Sequence, residues 1–369
     1  MLNSAACGII GCITLLNHSQ QKQPQLISAQ TSQTRKDQLT RWVFSVLTNT
    51  ANHTNHNPLQ SVGGDAGFRH YYRIATPEGT AVAVDAPPET EDTQAFVRIA
   101  NAWRQGGVRV PEVRAVDYDQ GFMLQEDFGD TPLQWLLNEQ TADHYYQQAF
   151  ATLKVIQQQS PDILPAYDRQ LLMFELSLYP EWFLTQFLEL DQPLPDLNDL
   201  FSQLVSDIQQ QPTGTVHRDY HSRNLMVLAN GSLGVIDFQG ALNGPLLYDT
   251  VSLLKDCYVR WPDDRVNSWL RAFSGGHPLF ASYSFEQIRT WFDLTGLQRH
   301  LKCLGIFARL WLRDGKSGYL KDIPRTFDYV LEVCQRYPQL QAHHQWLTEH
   351  VQPVLATRLK AVQAEADAL

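Results

Sequence analysis

His217-Arg218-Asp219-Tyr220-His221-Ser222-Arg223-Asn224 is followed, after the segment 225–235, by Ile236-Asp237-Phe238. Between the two phrases lie short apolar runs at 225–228 and 233–236, separated by Asn230-Gly231. Asn-Gly between two apolar runs is a strong hairpin signal, because both residues tolerate the positive φ of a tight turn. A hairpin returns the chain to where it began, so Asn224 and Asp237 come to the same end. Phosphoryl transfer asks for this set: a carboxylate to take a hydroxyl proton, and an amide oxygen and a second carboxylate to hold a divalent cation. Asp219 fits as catalytic base, and Asn224 and Asp237 fit as metal ligands. The bland alternative is a polar loop beside a core hairpin. The hairpin itself and the apolar flank of Asp237 weigh against it.

Working outward, the two sides differ in character. Upstream, strands are expected at 71–75, 80–85, 108–116 and 122–125, with the TPEG turn at 76–79 and a helix at about 92–105 ended by Gly106-Gly107. Apolar residues at helical spacing from Leu39 to Leu47 predict a helix over 36–50. After Gly129 helices are expected at 131–139, 141–160, 168–190 and 196–211, and again from Tyr248 onward. The expected organisation is a leader at 1–34, a sheet-rich lobe at 35–124, a hinge at 125–130, and a large helical lobe at 131–369. The fold class is α+β, with a small antiparallel sheet lobe and a mostly helical one.

Composition narrows the classes. The chain has 369 residues, a net charge of −10 and 43% hydrophobic residues. That describes a globular protein long enough for two lobes. An acidic surface disfavours nucleic acid, and no basic amphipathic run points to a membrane. Five cysteines (Cys7, Cys12, Cys257, Cys303 and Cys334) form no CxxC pair. They read as reduced thiols of a cytoplasmic protein. The apolar stretch 5–16 is too short to span a bilayer and no Lys or Arg precedes it. A weak signal segment or a lipid-modified Cys7 competes there with a dispensable tail. The Gln/Ser/Asn-rich stretch 18–34 reads as disordered.

A second motif is Ser61-Val62-Gly63-Gly64-Asp65-Ala66-Gly67-Phe68-Arg69. Three glycines ahead of a strand let backbone N–H groups approach phosphates. Alone, a Gly-rich turn before a hairpin is common.

Taken together, His217–Asn224 with Asp237 resembles the catalytic and metal loops of the kinase-like phosphotransferases. His221, two residues after the base, is similar to the aminoglycoside and choline kinase branch of the protein-kinase-like fold. The resemblance implies ATP and Mg²⁺ as cofactors. It implies that Gly63, Gly64, Gly67 and Arg69 attend the phosphates, and that the backbone at Glu126–Phe128 attends adenine. His217 and His221 can be read as metal ligands or bases, but the family pattern makes them structural. One departure stands out. Where the family carries a strand Lys in a V-A-x-K context, this chain has Val82-Ala83-Val84-Asp85. Arg69 or Arg73 must then balance the phosphates, or else the chain is a non-catalytic nucleotide-binding scaffold.

Further phrases narrow the resemblance: Asp85-Ala86-Pro87-Pro88-Glu89, Phe238-Gln239-Gly240-Ala241, Tyr248-Asp249 and Arg313-Asp314-Gly315-Lys316. They are similar to the anomeric amino-sugar kinases of peptidoglycan recycling. That implies a small-molecule partner, N-acetylmuramate or N-acetylglucosamine, phosphorylated at its C1 hydroxyl. Another hydroxyl substrate, such as an aminoglycoside or a choline-like amino alcohol, is the competing reading. Candidate substrate residues are Arg223, Gln239, Glu175, Trp182, Asp85 and Arg313, with Arg309 as a further cation. Glu175 and Trp182 lie seven apart on an expected helix and so share a face, although Trp182 reads equally well as core. Arg309 and Arg313 read equally well as a solvated helix face, and Asp85 as the anchor of a Pro-Pro turn.

Overall fold

The computed structural model describes residues 25–48, 59–62, 68–190 and 195–367. Gly63, Gly64 and Gly67, Cys7 and Cys12 lie outside the described residues. Two compact units emerge: residues 1–135 with 224–241, and residues 136–223 with 242–369.

The first unit is built on a five-stranded antiparallel sheet. Its strands are β1 (Gln60–Ser61), β2 (His70–Thr76), β3 (Gly79–Asp85), β4 (Val113–Asp117) and β5 (Phe122–Glu126), in the order β1-β2-β3-β5-β4. β2 and β3 turn through Thr76↔Gly79. Gly79 has φ +132°, a conformation side chains resist. The segment 108–116, expected to be wholly strand, pairs only from Val113. Helix α1 (Gln25–Thr48) begins well before the expected residue 36. It covers one sheet face, where Leu39 and Val43 meet Tyr72, Ile74, Ala81, Ala83, Phe122 and Leu124. Helix α2 (Thr93–Gln105) starts where the Asp92 carboxylate accepts the Ala95 N–H at 2.8 Å. It stops at Gly107, with φ +89°. It buries Phe96, Val97, Ile99, Ala100 and Trp103, an i, i+3, i+4 stripe.

The hairpin Leu225–Val227 with Leu233–Val235 also belongs to this unit, although it lies far along the chain. The Val227 N–H bonds the Thr131 carbonyl, and the Val235 N–H bonds the Arg109 carbonyl, both at 2.8 Å. Phe238 anchors its far end, with ring centroids 4.8 Å from Phe96 and 5.8 Å from Trp103. The compact units therefore divide at 135/136 and around 224–241, not at the hinge 125–130 alone.

The second unit is mostly helical. The stretch 131–139, expected as a helix, holds only a 3-10 turn at Leu133–Trp135, which stays with the first unit. Then follow α3 (Ala142–Gln157), α4 (Arg169–Leu178), a π segment at Tyr179–Phe187, α5 (Asn198–Ile208), α6 (Leu247–Leu254), α7 (Asp263–Gly275) and α8 (Phe285–Asp314). Helices α9 (Ile323–Arg336), α10 (Gln341–Trp346) and α11 (Gln352–Asp367) complete it. The single helix expected at 168–190 changes pitch at Pro180, whose missing N–H removes an α-helical bond. The Leu188 N–H instead reaches five residues back to Phe183 O at 3.0 Å. Helix α8 is 30 residues long and buried on nearly every side, which makes it the axis of the unit. No helix among the described residues is long and apolar enough to cross a membrane.

Candidate active site

In the second unit, strand Thr213–Val216 pairs antiparallel with Leu242–Pro245 and delivers the loop that starts at His217. Arg218 has φ +78°, which costs about 1–3 kcal/mol for a non-glycine residue. Several contacts fix it there. The Asp249 carboxylate accepts the His217 N–H at 2.7 Å and the Arg218 N–H at 2.8 Å. Ser252 Oγ donates to Arg218 O at 3.3 Å. The Asp256 carboxylate takes both the N–H and the hydroxyl of Ser222, at 2.9 and 2.6 Å. His217 Nδ1 accepts the Asp219 N–H at 3.3 Å, and Asp219 O accepts the His221 N–H at 3.0 Å. The His217 ring is thus bonded within the loop and fully buried, and the His221 ring lies edge-on to Tyr258.

Asp219 itself is half-buried. Burial pushes its carboxyl up, but Lys302, Arg218, His221 and Arg299 outweigh that and bring it down to about 2. It is therefore ionised at neutral pH. Arg218 and Lys302 share one counter-ion, Glu175. Lys302 Nζ stands 3.2 Å from Glu175 Oε1, Gln298 Nε2 donates to Oε2 at 3.1 Å, and the Arg218 guanidinium and the Tyr167 hydroxyl also bond this carboxylate.

Several expected substrate residues are placed differently. Glu175 is 1% exposed and its carboxylate is saturated, so it supports Arg218 and Lys302 and has nothing to offer a sugar. Trp182 packs against the hydrophobic core as a partly buried side chain. A face shared with Glu175 requires 3.6 residues per turn, and the π segment between them departs from that count. The Arg313 guanidinium engages its neighbour Asp314 at 2.7 Å and is part-exposed. Arg309 is buried. Arg223 lies over the Tyr258 ring at 3.5 Å and 3.6 Å from Asp322 Oδ2.

The first unit carries the expected metal pair. Ile236 N–H bonds Asn224 O at 3.0 Å and closes the hairpin base. Asn224 Nδ2 then lies 3.3 Å from Asp237 Oδ2, and Gln239 Nε2 bonds Asp237 Oδ1. Asp237 is exposed and left-handed, with φ +62° and ψ +34°. As placed, Asn224 turns its amide nitrogen to Asp237. With that amide turned to present Oδ1, the pair would suit Mg²⁺, which takes one or two protein oxygens and fills its octahedron with water and phosphate oxygens. No cluster of three or more His, Cys, Asp or Glu side chains suited to a metal exists among the described residues. A structural zinc-type cage is therefore not what this pair belongs to.

Four further residues of this unit had expected roles. Asp85 is no open sugar contact: Arg35 of α1 donates to it at 2.9 Å, and it is 4% exposed. Arg73 is committed to Asp127 at 2.5 Å and Asp130 at 2.7 Å. The Glu126 carboxylate grips Arg109, and its N–H already serves Glu112 O at 2.9 Å. The Arg109 guanidinium covers the Phe128 ring at 4.6 Å. Sequence reasoning assigned no role to Asp249, Asp256, Lys302 or Tyr167. Only Tyr248-Asp249 gave a signal, as part of a quoted phrase.

The comparisons agree with this geometry. Residues 58–284 match the model of the phosphotransferase enzyme family. An N-acetylmuramate/N-acetylglucosamine kinase of Pseudomonas aeruginosa is 40% identical over 76% of this chain and 85% of its own length. One of Neisseria meningitidis is 37% identical over 79% of this chain and 90% of its own. Among solved structures, a choline/ethanolamine kinase family protein of Mesorhizobium loti superposes with TM-score 0.57 at 14% identity, covering 83% of this chain and 98% of its own. A choline kinase of Streptococcus pneumoniae gives TM-score 0.57 at 11% identity, covering 80% of this chain and 99% of its own. The fold is thus protein-kinase-like, as the catalytic phrase implied. The enzyme is a phosphotransferase with a hydroxyl acceptor, and the chain belongs to the phosphotransferase enzyme family, on the branch of the N-acetylmuramate/N-acetylglucosamine kinases.

Proposed function

We propose that the protein is an ATP-dependent amino-sugar kinase that phosphorylates the C1 hydroxyl of N-acetylmuramate or N-acetylglucosamine. The observation that carries this reading is the locked loop that presents an ionised Asp219 among Lys302, Arg218 and Arg299. Asp219 accepts the hydroxyl proton as the oxygen attacks the γ-phosphorus. A carboxylate of such low basicity is adequate because an anomeric hydroxyl is more acidic than an ordinary alcohol, and because most of the rate in phosphoryl transfer comes from positioning and electrostatics. Asn224 and Asp237 would hold Mg²⁺, which when bound neutralises charge on the phosphates. ATP as co-substrate and three buried free thiols suit a cytoplasmic step in peptidoglycan recycling.

The relatives' printed substrates support the amino sugar. The local charge supports it over a cationic amino alcohol: the groups around Asp219 are mainly basic, and a second cation would meet repulsion there. Arg223, over the Tyr258 ring at 3.5 Å and beside the catalytic loop, is the candidate for the carboxylate of N-acetylmuramate.

The test is ADP release with ATP, Mg²⁺ and each sugar. Turnover is expected with the free sugars, and none with the methyl glycoside, whose C1 oxygen is blocked, or in EDTA. A methyl glycoside that turns over equally well would place the reaction at another hydroxyl, and turnover with choline alone would overturn the sugar reading. Arg223→Ala should raise KM for N-acetylmuramate about tenfold more than for N-acetylglucosamine, the scale of one lost charge-assisted hydrogen bond.

A further inference from the structure

The family's strand lysine is missing, and the sheet shows why no residue at that position can stand in for it. Alternate residues of a strand face opposite sides. Ala81 and Ala83 face α1 together with Tyr72, Phe122 and Leu124. Asp85 follows with the same parity, and its carboxylate meets Arg35 of α1. The register Tyr71↔Val84↔Met123 and Arg73↔Val82↔Gln125 puts those residues on the other side. Asp237 is linked to that second face. It acts electrostatically on Tyr71 and on Glu91, and the residue beside it, Phe238, stacks on α2.

Two arginines are candidates for the missing cation. Arg73 is held by two carboxylates, Asp127 and Asp130. Arg69 is different. It is 6% exposed, lies over the Phe96 ring at 5.2 Å, and has Glu91 at 2.8 Å from Nη2. Glu91 is 7% exposed and immediately precedes the Asp92 cap of α2. The contact is close but poorly aligned. Arg69 Nε and Nη2 and Glu91 Oε2 have no directed hydrogen-bond partner among the described residues. A buried guanidinium whose ion pair is poorly aligned keeps capacity for an anionic ligand that would complete its hydrogen bonds.

We infer that Arg69, braced by Glu91, supplies the phosphate-binding cation that the missing strand lysine supplies elsewhere in the family, with Tyr71 beside it and Asp237 as its metal-side neighbour. This rests on the kinase reading above. Arg69 is then a nucleotide-binding residue and Glu91 a positioning residue. A guanidinium replaces an ammonium, so two phosphate oxygens can be held in a fixed plane where a lysine would hold one as a point charge. A chain without the strand lysine remains equipped for turnover.

The test is calorimetric titration of the full chain with Mg²⁺ and a non-hydrolysable ATP analogue carrying a β,γ-imide, and separately with AMP. Arg69→Met keeps an unbranched side chain beside Phe96 but removes the charge. It should weaken the analogue by about 10- to 100-fold and leave AMP within about twofold, with Arg69→Lys in between. Glu91→Gln should weaken the analogue several-fold and raise KM for ATP more than it lowers kcat. Asp85→Lys should give no gain in analogue affinity, because it faces α1. Equal losses for the analogue and AMP, or no loss for either, would overturn the inference while wild-type binding keeps the kinase reading intact. A wild-type chain that binds no analogue at all would overturn both. Should Arg69→Met fail to fold, Glu91→Gln carries the same comparison: selective loss of the analogue supports the inference, and equal or absent loss overturns it.

Discussion

Glu175 is the residue on which the loop depends most. Its carboxylate is pulled down to about 2 from an ordinary 4.5: burial opposes ionisation, while Lys302, Arg218 and the Tyr167 hydroxyl favour it. Asp219 is held down to about 2 from 3.8 in the same field. Both values are lower folded than unfolded. The stability these groups contribute is therefore present above about pH 4.5 and lost as pH falls toward 2. A melting series from pH 7 to 3 should show Tm dropping across the acid side. Glu175→Gln should start lower, by about 3–5 kcal/mol, because it strands two buried cations, and its acid-side drop should be shallower. A variant with wild-type Tm at pH 7 would refute the shared counter-ion. Asp219→Asn tests the other role. It leaves the clamps from Asp249 and Asp256 intact, so the protein should still fold cooperatively at pH 7, with Tm lowered less than by Glu175→Gln, while kcat falls by about 10²–10⁴.

At the scale of elements, α8 crosses the end of α4 at close range. A Cβ built on Gly305 would lie 2.4 Å from the Leu178 carbonyl oxygen, and backbone at a helix end has little room to yield. Gly305→Ala should destabilise by about 1–3 kcal/mol, seen as a lowered denaturant midpoint. Gly296 on the same helix is the control. Its added Cβ would meet Val251 at an ordinary 3.6 Å. Gly296→Ala should be neutral or gain about 0.5–1 kcal/mol from helix propensity. If both substitutions behave alike, the close crossing is not what holds α8. The hairpin at 225–235 was legible from Asn230-Gly231 and its apolar flanks. The strand expected at 108–116 was not, because apolar spacing cannot tell a buried loop from a paired strand. The long helix expected at 168–190 changes pitch at Pro180, where one N–H is missing, so the 3.6-residue count that paired Trp182 with Glu175 no longer applies.

For the whole molecule, the chain enters the second unit at Leu136, leaves it at Asn224 and returns at Leu242. No single cut separates the units. A fragment beginning at Leu136 would carry the hairpin and Phe238 without Phe96 and Trp103, exposing a stacked aromatic cluster. It should aggregate on size-exclusion chromatography, whereas the same fragment with residues 224–241 replaced by a short Gly/Ser linker should elute closer to its monomer size. Equal behaviour of the two would mean that the hairpin does not depend on its partners in the first unit.

The reach of the sequence follows from the range of the interactions involved. The hairpin that brings Asn224 and Asp237 together was readable by itself, because one tight turn sets their spacing within about twenty residues of chain. The family, the sheet-then-helix order and the departure at Asp85 were readable for the same local reason. Glu175 and Lys302 are separated by 127 positions, and Arg218 and Asp249 by 31. Their partnerships exist only because packing brings α4, α6 and α8 around the loop. The direction in which Asp85 points was likewise decided by sheet register and by which face α1 covers. Local chemistry named the groups proposed to react. Long-range burial chose which charges hold them ionised, and on which side of the sheet each one stands.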